Sequence, residues 1–242
     1  METPILSTMV VLYNTNLQFD TTSLLHKLPL NEELIKVEKR GVLKRGESSR
    51  DKIKKRAKKD GPANTTGFCH NSITLVMLND ANGHLPKKEI TVKIFQNGVL
   101  HMTGVLDEQY DKCVSKRLLE ILWESCRDCI KNPPEAPEIT NRRVVLMNYT
   151  TALSSKETVP REALHTNIRK LGLENVSSHY DPDVYPGVKV AIGPNKWTAK
   201  VFRTGKIILT GITDKSDCSK FTEQLLDLFE KALPKRQTLS AK

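Results

Sequence analysis

Lys93-Ile94-Phe95-Gln96-Asn97-Gly98-Val99-Leu100-His101-Met102-Thr103-Gly104 returns later in the chain as Lys200-Val201-Phe202-Arg203-Thr204-Gly205-Lys206-Ile207-Ile208-Leu209-Thr210-Gly211. Lysine, phenylalanine, the turn glycine, threonine and the closing glycine recur without a gap, so the chain is built from two related halves. Each copy reads as a β-hairpin: an alternating run, a short polar turn containing Gly, and a second apolar run ending in Thr-Gly.

A helix is expected after each hairpin. From Tyr110 to Cys129 the apolar residues fall near a 3.6-residue period, and Phe221, Leu225, Leu228, Phe229 and Ala232 repeat the pattern in a helix over Lys215 to Leu233. Asp214 to Asp217 supply N-cap candidates for the latter. Upstream, Met9 to Asn14 and Arg143 to Asn148 read as equivalent first strands. Each precedes a short helix, over Thr21 to Leu28 and over Pro160 to Leu171, the second with Pro in a place that suits a first turn. Each half is therefore strand, helix, strands, long helix, an α+β pattern. The prolines of Asn132-Pro133-Pro134-Glu135-Ala136-Pro137 stop the preceding helix, which places the division between residues 1–132 and 133–242.

The 242 residues allow two domains of ordinary size. The sequence has no apolar run of membrane-spanning length and no basic-then-apolar leader, so a soluble intracellular protein is expected. Five cysteines at scattered spacings argue against a disulfide framework. Cys126-Arg127-Asp128-Cys129 has no second pair to complete a zinc site and reads as core or surface thiols. No metal or other cofactor is expected.

The formal charge of +10 points to a polyanionic partner. Between Lys36 and Lys59 twelve Lys/Arg face three acids. The run ends in Lys52, Lys54, Lys55, Arg56, Lys58 and Lys59. The stretch around residues 36–62 reads as a basic insertion, a loop or arm between two strands that contacts phosphates or serves as a nuclear import signal. A solvated charge run without a partner is the bland alternative. An enzyme is disfavoured. The six histidines show no paired ligand spacing, Asp181-Pro182-Asp183 sits in a turn as solvated acids, and neither a phosphate loop nor a nucleophile elbow occurs.

The twice-repeated Phe-x-x-Gly hairpin closing in Thr-Gly, with Tyr185-Pro186-Gly187-Val188 upstream of the second copy, resembles the TATA-box-binding-protein family. The divergence, the basic insertion and Gly67-Phe68-Cys69-His70-Asn71-Ser72 are most similar to the TATA-box-binding-protein-like factors of large DNA viruses. The resemblance implies a pseudosymmetric saddle of two repeats, each a curved antiparallel sheet backed by two helices. Its concave face would bind and bend duplex DNA through the minor groove. The family's part in transcription initiation follows as an expectation, with DNA-bound protein as a monomer and other initiation factors or RNA polymerase on the convex helices. The nucleus, a viral replication compartment or the virion would be its place.

By motif position Phe95 and Phe202 are the hairpin wedges, Tyr185 the second wedge of the C-terminal half, and Phe68 its N-terminal counterpart. Period-two geometry puts Thr91, Lys93, His101 and Thr103 on the face of Phe95, and Thr198, Lys200, Ile208 and Thr210 on the face of Phe202. Thr103 and Thr210 would line the groove, and Lys93, Lys200, Arg203 and Lys206 would meet phosphates. The family carries aliphatic residues where Lys93, Lys200 and His101 stand, which weakens any transfer of TATA preference. Aligned first strands put Thr8 and either Asn141 or Arg142 where the family aims paired asparagines at the centre of its site. A sequence-indifferent architectural or packaging protein would use the same wedges and basic arm.

Overall fold

The computed structural model describes residues 1–52, 71–153, 158–195 and 197–233. The chain divides into two compact units, Met9–Val145 and Met1–Thr8 with Leu146–Lys242. Phe68, Lys54, Lys55, Arg56, Lys58 and Lys59 lie outside the described residues, and Lys52 is the last residue of a short 3-10 turn.

The first unit runs β1 (Ile5–Thr15), α1 (Thr21–Lys27), β2 (Leu34–Lys39), β3 (Leu43–Gly46), the 3-10 turn Ser49–Lys52, β4 (Ser72–Asn79), β5 (Lys88–Phe95), β6 (Leu100–Val105) and α2 (Glu108–Ser125). Its antiparallel sheet has the order β3-β2-β4-β5-β6-β1. Alternation decides which side is core: Ile90, Val92, Ile94, Leu100 and Met102 are buried together with Val114, Leu118 and Leu122 of α2. Each such side chain contributes about 2 kcal/mol of apolar burial. Asp107 caps α2 by accepting the Gln109 N–H at 2.8 Å, and Asp20 caps α1 by accepting that of Thr22 at 3.0 Å.

The second unit continues from β7 (Ile139–Ala152) through α3 (Arg161–Lys170), β8 (Val176–His179), β9 (Val188–Ile192), β10 (Trp197–Val201), β11 (Lys206–Ile212) and α4 (Lys215–Ala232). Its antiparallel order is β7-β11-β10-β9-β8. Val188, Val190, Ala199, Val201, Ile207 and Leu209 are buried, as are Leu164 and Ile168 of α3 and Phe221, Leu225 and Leu228 of α4. Asp214, among the capping candidates, accepts the Ser216 N–H at 2.8 Å. The expected α+β architecture of repeated sheets backed by helices is the one found.

The two hairpin turns close alike. Gly98 donates to the Phe95 carbonyl at 3.0 Å and Gly205 to the Phe202 carbonyl at 3.0 Å. Both glycines take a left-handed backbone, φ +82° and +79°. One expectation is corrected. The basic stretch from Lys36 does not begin as a loop, because its first residues form the β2–β3 hairpin. Leu34 and Val37 are fully buried, and the Arg45 guanidinium donates to the carbonyls of Leu25, His26 and Leu28, closing the end of α1. Two apolar anchors and one helix-capping arginine outweigh the repulsion of the neighbouring cations.

Candidate nucleic-acid interface

The strand register fixes what the face opposite the helices carries. In the second unit His179, Lys189, Lys200, Ile208 and Thr150 lie in one cross-strand row. Ser177, Ala191, Thr198 and Thr210 form the next. In the first unit Glu38, Thr74, Lys93, His101 and Leu12 form one row, and Lys36, Val76, Thr91 and Thr103 the other. Phe95 and Phe202 are half-buried on these faces, away from the fully buried Ile94 and Val201. Period two therefore places the wedge candidates, both lysines and the threonines on the side that the helices leave open.

At the end of the second unit's face the Tyr185 and Phe202 rings meet at 5.9 Å between centroids, tilted by 58°. The Lys189 ammonium stands 5.4 Å and the Lys200 ammonium 5.9 Å from the centre of the Tyr185 ring, an attractive cation–π geometry. Gly187 makes room for the pair, since a Cβ there would stand 3.1 Å from Tyr185 Cε1 and 3.3 Å from Phe202 Cε1. Gly187→Ala therefore requires both rings to give way by a few tenths of an ångström. A duplex titration followed by anisotropy should show a loss of about 1 kcal/mol, roughly fivefold in affinity, without loss of fold. Unchanged affinity would show that the ring positions do not matter.

Arg203 and Lys206 are exposed in the hairpin turn. With Arg161, Pro186, Phe202 and Ile208 they line a shallow depression of about 390 Å³. Burial and then the neighbouring Lys93 hold His101 below its ordinary pKa of 6.5, so it is a neutral ring at pH 7. Asp181 is a turn former, its carboxylate accepting the N–H groups of Asp183 and Val184. Cys126 and Cys129 are buried free thiols, and burial pushes Cys126 up to about 11. No group of residues able to hold a metal ion occurs among the described residues. No described helix is long and apolar enough to cross a membrane.

Arg142 is not a groove residue. Its guanidinium grips the fully buried Asp111 of α2, Nε to Oδ2 at 2.7 Å and Nη2 to Oδ1 at 3.2 Å, while the Tyr13 hydroxyl donates to the same carboxylate at 2.6 Å. A buried carboxylate demands such partners. Sequence reasoning passed over Lys189 and Thr74. The alternation Val188-Lys189-Val190-Ala191-Ile192 carried the signal for the first.

Comparison with known proteins adds to this geometry. Residues 163–232 match the family model described as transcription factor TFIID, or TATA-binding protein. Over 139 residues the chain is 22% identical to the TATA-box-binding protein of Methanocaldococcus jannaschii, covering 57% of this chain and 67% of that protein. Over 85 residues it is 33% identical to TATA-box-binding protein 2 of Methanosarcina acetivorans, covering 35% of this chain and 40% of that one. The solved structure of Methanococcus jannaschii TBP aligns with a TM-score of 0.55 at 16% identity, over 95% of this chain and 99% of that one. The chain thus has the TATA-binding-protein fold, and its sequence is similar to that family, with the family-model match in the C-terminal repeat. These relatives are named for binding a DNA element, not for catalysis, in agreement with the reading against an enzyme.

Proposed function

We propose that this chain binds duplex DNA in the minor groove, bends it through its aromatic side chains, and serves in transcription initiation. The observation that carries the reading is the matched open face of both repeats: Thr91, Lys93 and Phe95 in one, Thr198, Lys200 and Phe202 in the other, all on the side without helices. A ring entering a base step must be flat, apolar and held on a rigid sheet, because unstacking costs a few kcal/mol that contacts in the bent duplex offset. That magnitude is the one for minor-groove wedging in general, TATA-binding proteins included. The outer faces of α2 and α4 are available to initiation factors or polymerase. Similarity to the viral TATA-box-binding-protein-like factors rests on the divergence of the first hairpin and the basic stretch. It would place the protein in the nucleus or viral replication compartment of a host cell, or in the virion.

Lys93, Lys189 and Lys200 on the open faces favour a second reading, an architectural protein that grips phosphates without choosing sequence, since an A·T-rich groove floor suits apolar contact better than cations. Selection of bound duplexes from a random pool separates the two: an enriched motif supports the initiation factor, and uniform retention supports the architectural protein. Both readings require salt sensitivity. For about six phosphate contacts, affinity should fall roughly 1,000-fold between about 50 and 200 mM salt. A flat isotherm across that range would rule out a polyanionic partner.

A further inference from the structure

The two repeats differ in the exposure of one row on their open faces. Motif alignment makes Lys93 the counterpart of Lys200, and the register then pairs Thr74 with Lys189, Val76 with Ala191, Glu38 with His179 and Lys36 with Ser177. In the second unit Ser177 is exposed and Ala191 half-buried. In the first unit Lys36 is only 7% exposed and Val76 only 5%. Val76 does not face the helices, for its neighbours Leu75 and Met77 do, and it lies between Lys36 and Thr91 in the cross-strand row.

Ser48–Asp51 supplies polar contacts there. Asp51 Oδ1 takes the Lys36 ammonium at 2.9 Å, and Oδ2 takes the Lys44 ammonium at 3.3 Å and the Ser48 N–H at 2.9 Å. Glu38 takes the other side of Lys36 at 2.6 Å. Ser49 donates its N–H and its hydroxyl to Glu89, each at 2.8 Å, and Glu89 stands in register with the open-face series Thr91, Lys93, Phe95. The hydrogen bonds to Lys36 and Ser48 hold Asp51 well below the usual carboxylate range. Three carboxylates thus sit on a face whose lysines suit a polyanion, and the counterpart row of the second unit carries none.

We propose that the turn Ser48–Asp51 is a displaceable cover on the open face of the first unit, in which Asp51 occupies Lys36 and Lys44 until a duplex phosphate takes them. The proposal rests on the DNA-binding reading and adds its regulation: the second unit's face is ready, and the first unit's is opened by the ligand. Displacement is feasible because the described attachments are hydrogen bonds and ion pairs, and although the Lys36 ammonium is buried, its partner Asp51 and the neighbouring Lys44 stay part-exposed, where solvent screens and salt weakens the contacts. A phosphate replaces the carboxylate on the same ammonium groups and gains counterion release besides. Without displacement, Asp51 would stand with Glu38 and Glu89 against the DNA backbone, and its removal takes one of the three carboxylates away and frees two ammonium groups.

The test compares duplex binding by the full chain with that of a Ser49→Ala, Asp51→Ala variant. Glu124→Ala, on exposed α2 surface, serves as the control with the same change of charge. Uncovering should tighten binding about fivefold beyond the control and steepen the salt dependence by one to two phosphate contacts, roughly. Acylation of the Lys36 amine, read by mass spectrometry, should be slow in the parent and fast in the variant. Glu89→Gln, which loosens the same turn from its other attachment, should give a smaller shift in the same direction and serves if the double variant does not fold. Parent binding with no gain in either variant beyond the control overturns the cover and leaves the functional reading standing. A parent that binds no duplex at all overturns both.

Discussion

Alanine at both Phe95 and Phe202 should lower duplex affinity by about 100-fold and abolish bending, at about 1.4 kcal/mol of lost stacking per ring. The fold survives, because neither ring is part of the buried core; each stands on the open face beside strand residues that bury their side chains on the other. The unfolding midpoint should move by only a few degrees, about what 1 kcal/mol does in units of this size. Adding Tyr185→Ala to Phe202→Ala should cost less than the sum of the two single changes, since the rings are in contact and share one seat over Gly187. Affinity by anisotropy and bend angle by end-to-end energy transfer separate the possibilities. Unchanged binding with both rings removed would show that they are not wedges.

Arg142→Met should destabilise the first unit by about 3 kcal/mol. Asp111 is completely buried and has two partners outside its own helix, the Arg142 guanidinium and the Tyr13 hydroxyl. Removing the cation leaves a carboxylate in the interior facing only a phenol, and that phenol is itself held as a neutral donor. Burial first, then the hydrogen bond to Asp111, pushes the Tyr13 pKa up to about 12. The guanidinium's own hydrogen bond to Asp111 raises Arg142 above its ordinary value. Denaturant unfolding measures the loss. Asp111→Asn combined with Arg142→Met should recover most of it, because the uncompensated charge is then gone. Equal losses in the single and double variants would place the cost in packing and not in charge. DNA affinity of the folded fraction should not change, which distinguishes this arginine from the groove cations.

The contrast between these two sites explains what sequence could deliver. The placement of Phe95 and Phe202 on the helix-free face was legible because their environment is local: alternation, a glycine turn and a copy of the same pattern elsewhere in the chain. The helix cap at Asp214 was of the same kind, satisfying an amide two residues on. Arg142 was not legible. Its partner lies 31 residues away on a helix, and nothing in Asn141-Arg142-Arg143 says which side of the strand bears the charge. The β2–β3 hairpin was hidden for a related reason. Its strands are short and charged, Lys36 is neutralised by Asp51 from beyond the hairpin, and Arg45 finds its acceptors on α1. Lys189 could have been found by extending the alternation one strand outward from Lys200, its cross-strand partner.

The departures on the open faces also set the chemistry expected of the site. With His101 neutral near pH 7, the electrostatic attraction of the described faces comes from lysines and from Arg203 in the turn. Lysine is a point charge on a flexible stem and carries little geometric selectivity, so sequence choice falls to the rings, the threonines and the deformability of the duplex.

Helix-free faces that bind a duplex and open its base steps must change the shape of the DNA they hold. A duplex labelled at both ends and titrated with the full chain at low salt reads that change. The ends should approach on binding, and the approach should be lost, with the protein still folded, when Phe95 and Phe202 are alanine. A bound duplex that stays straight, or one that bends equally without the rings, would contradict the wedge reading.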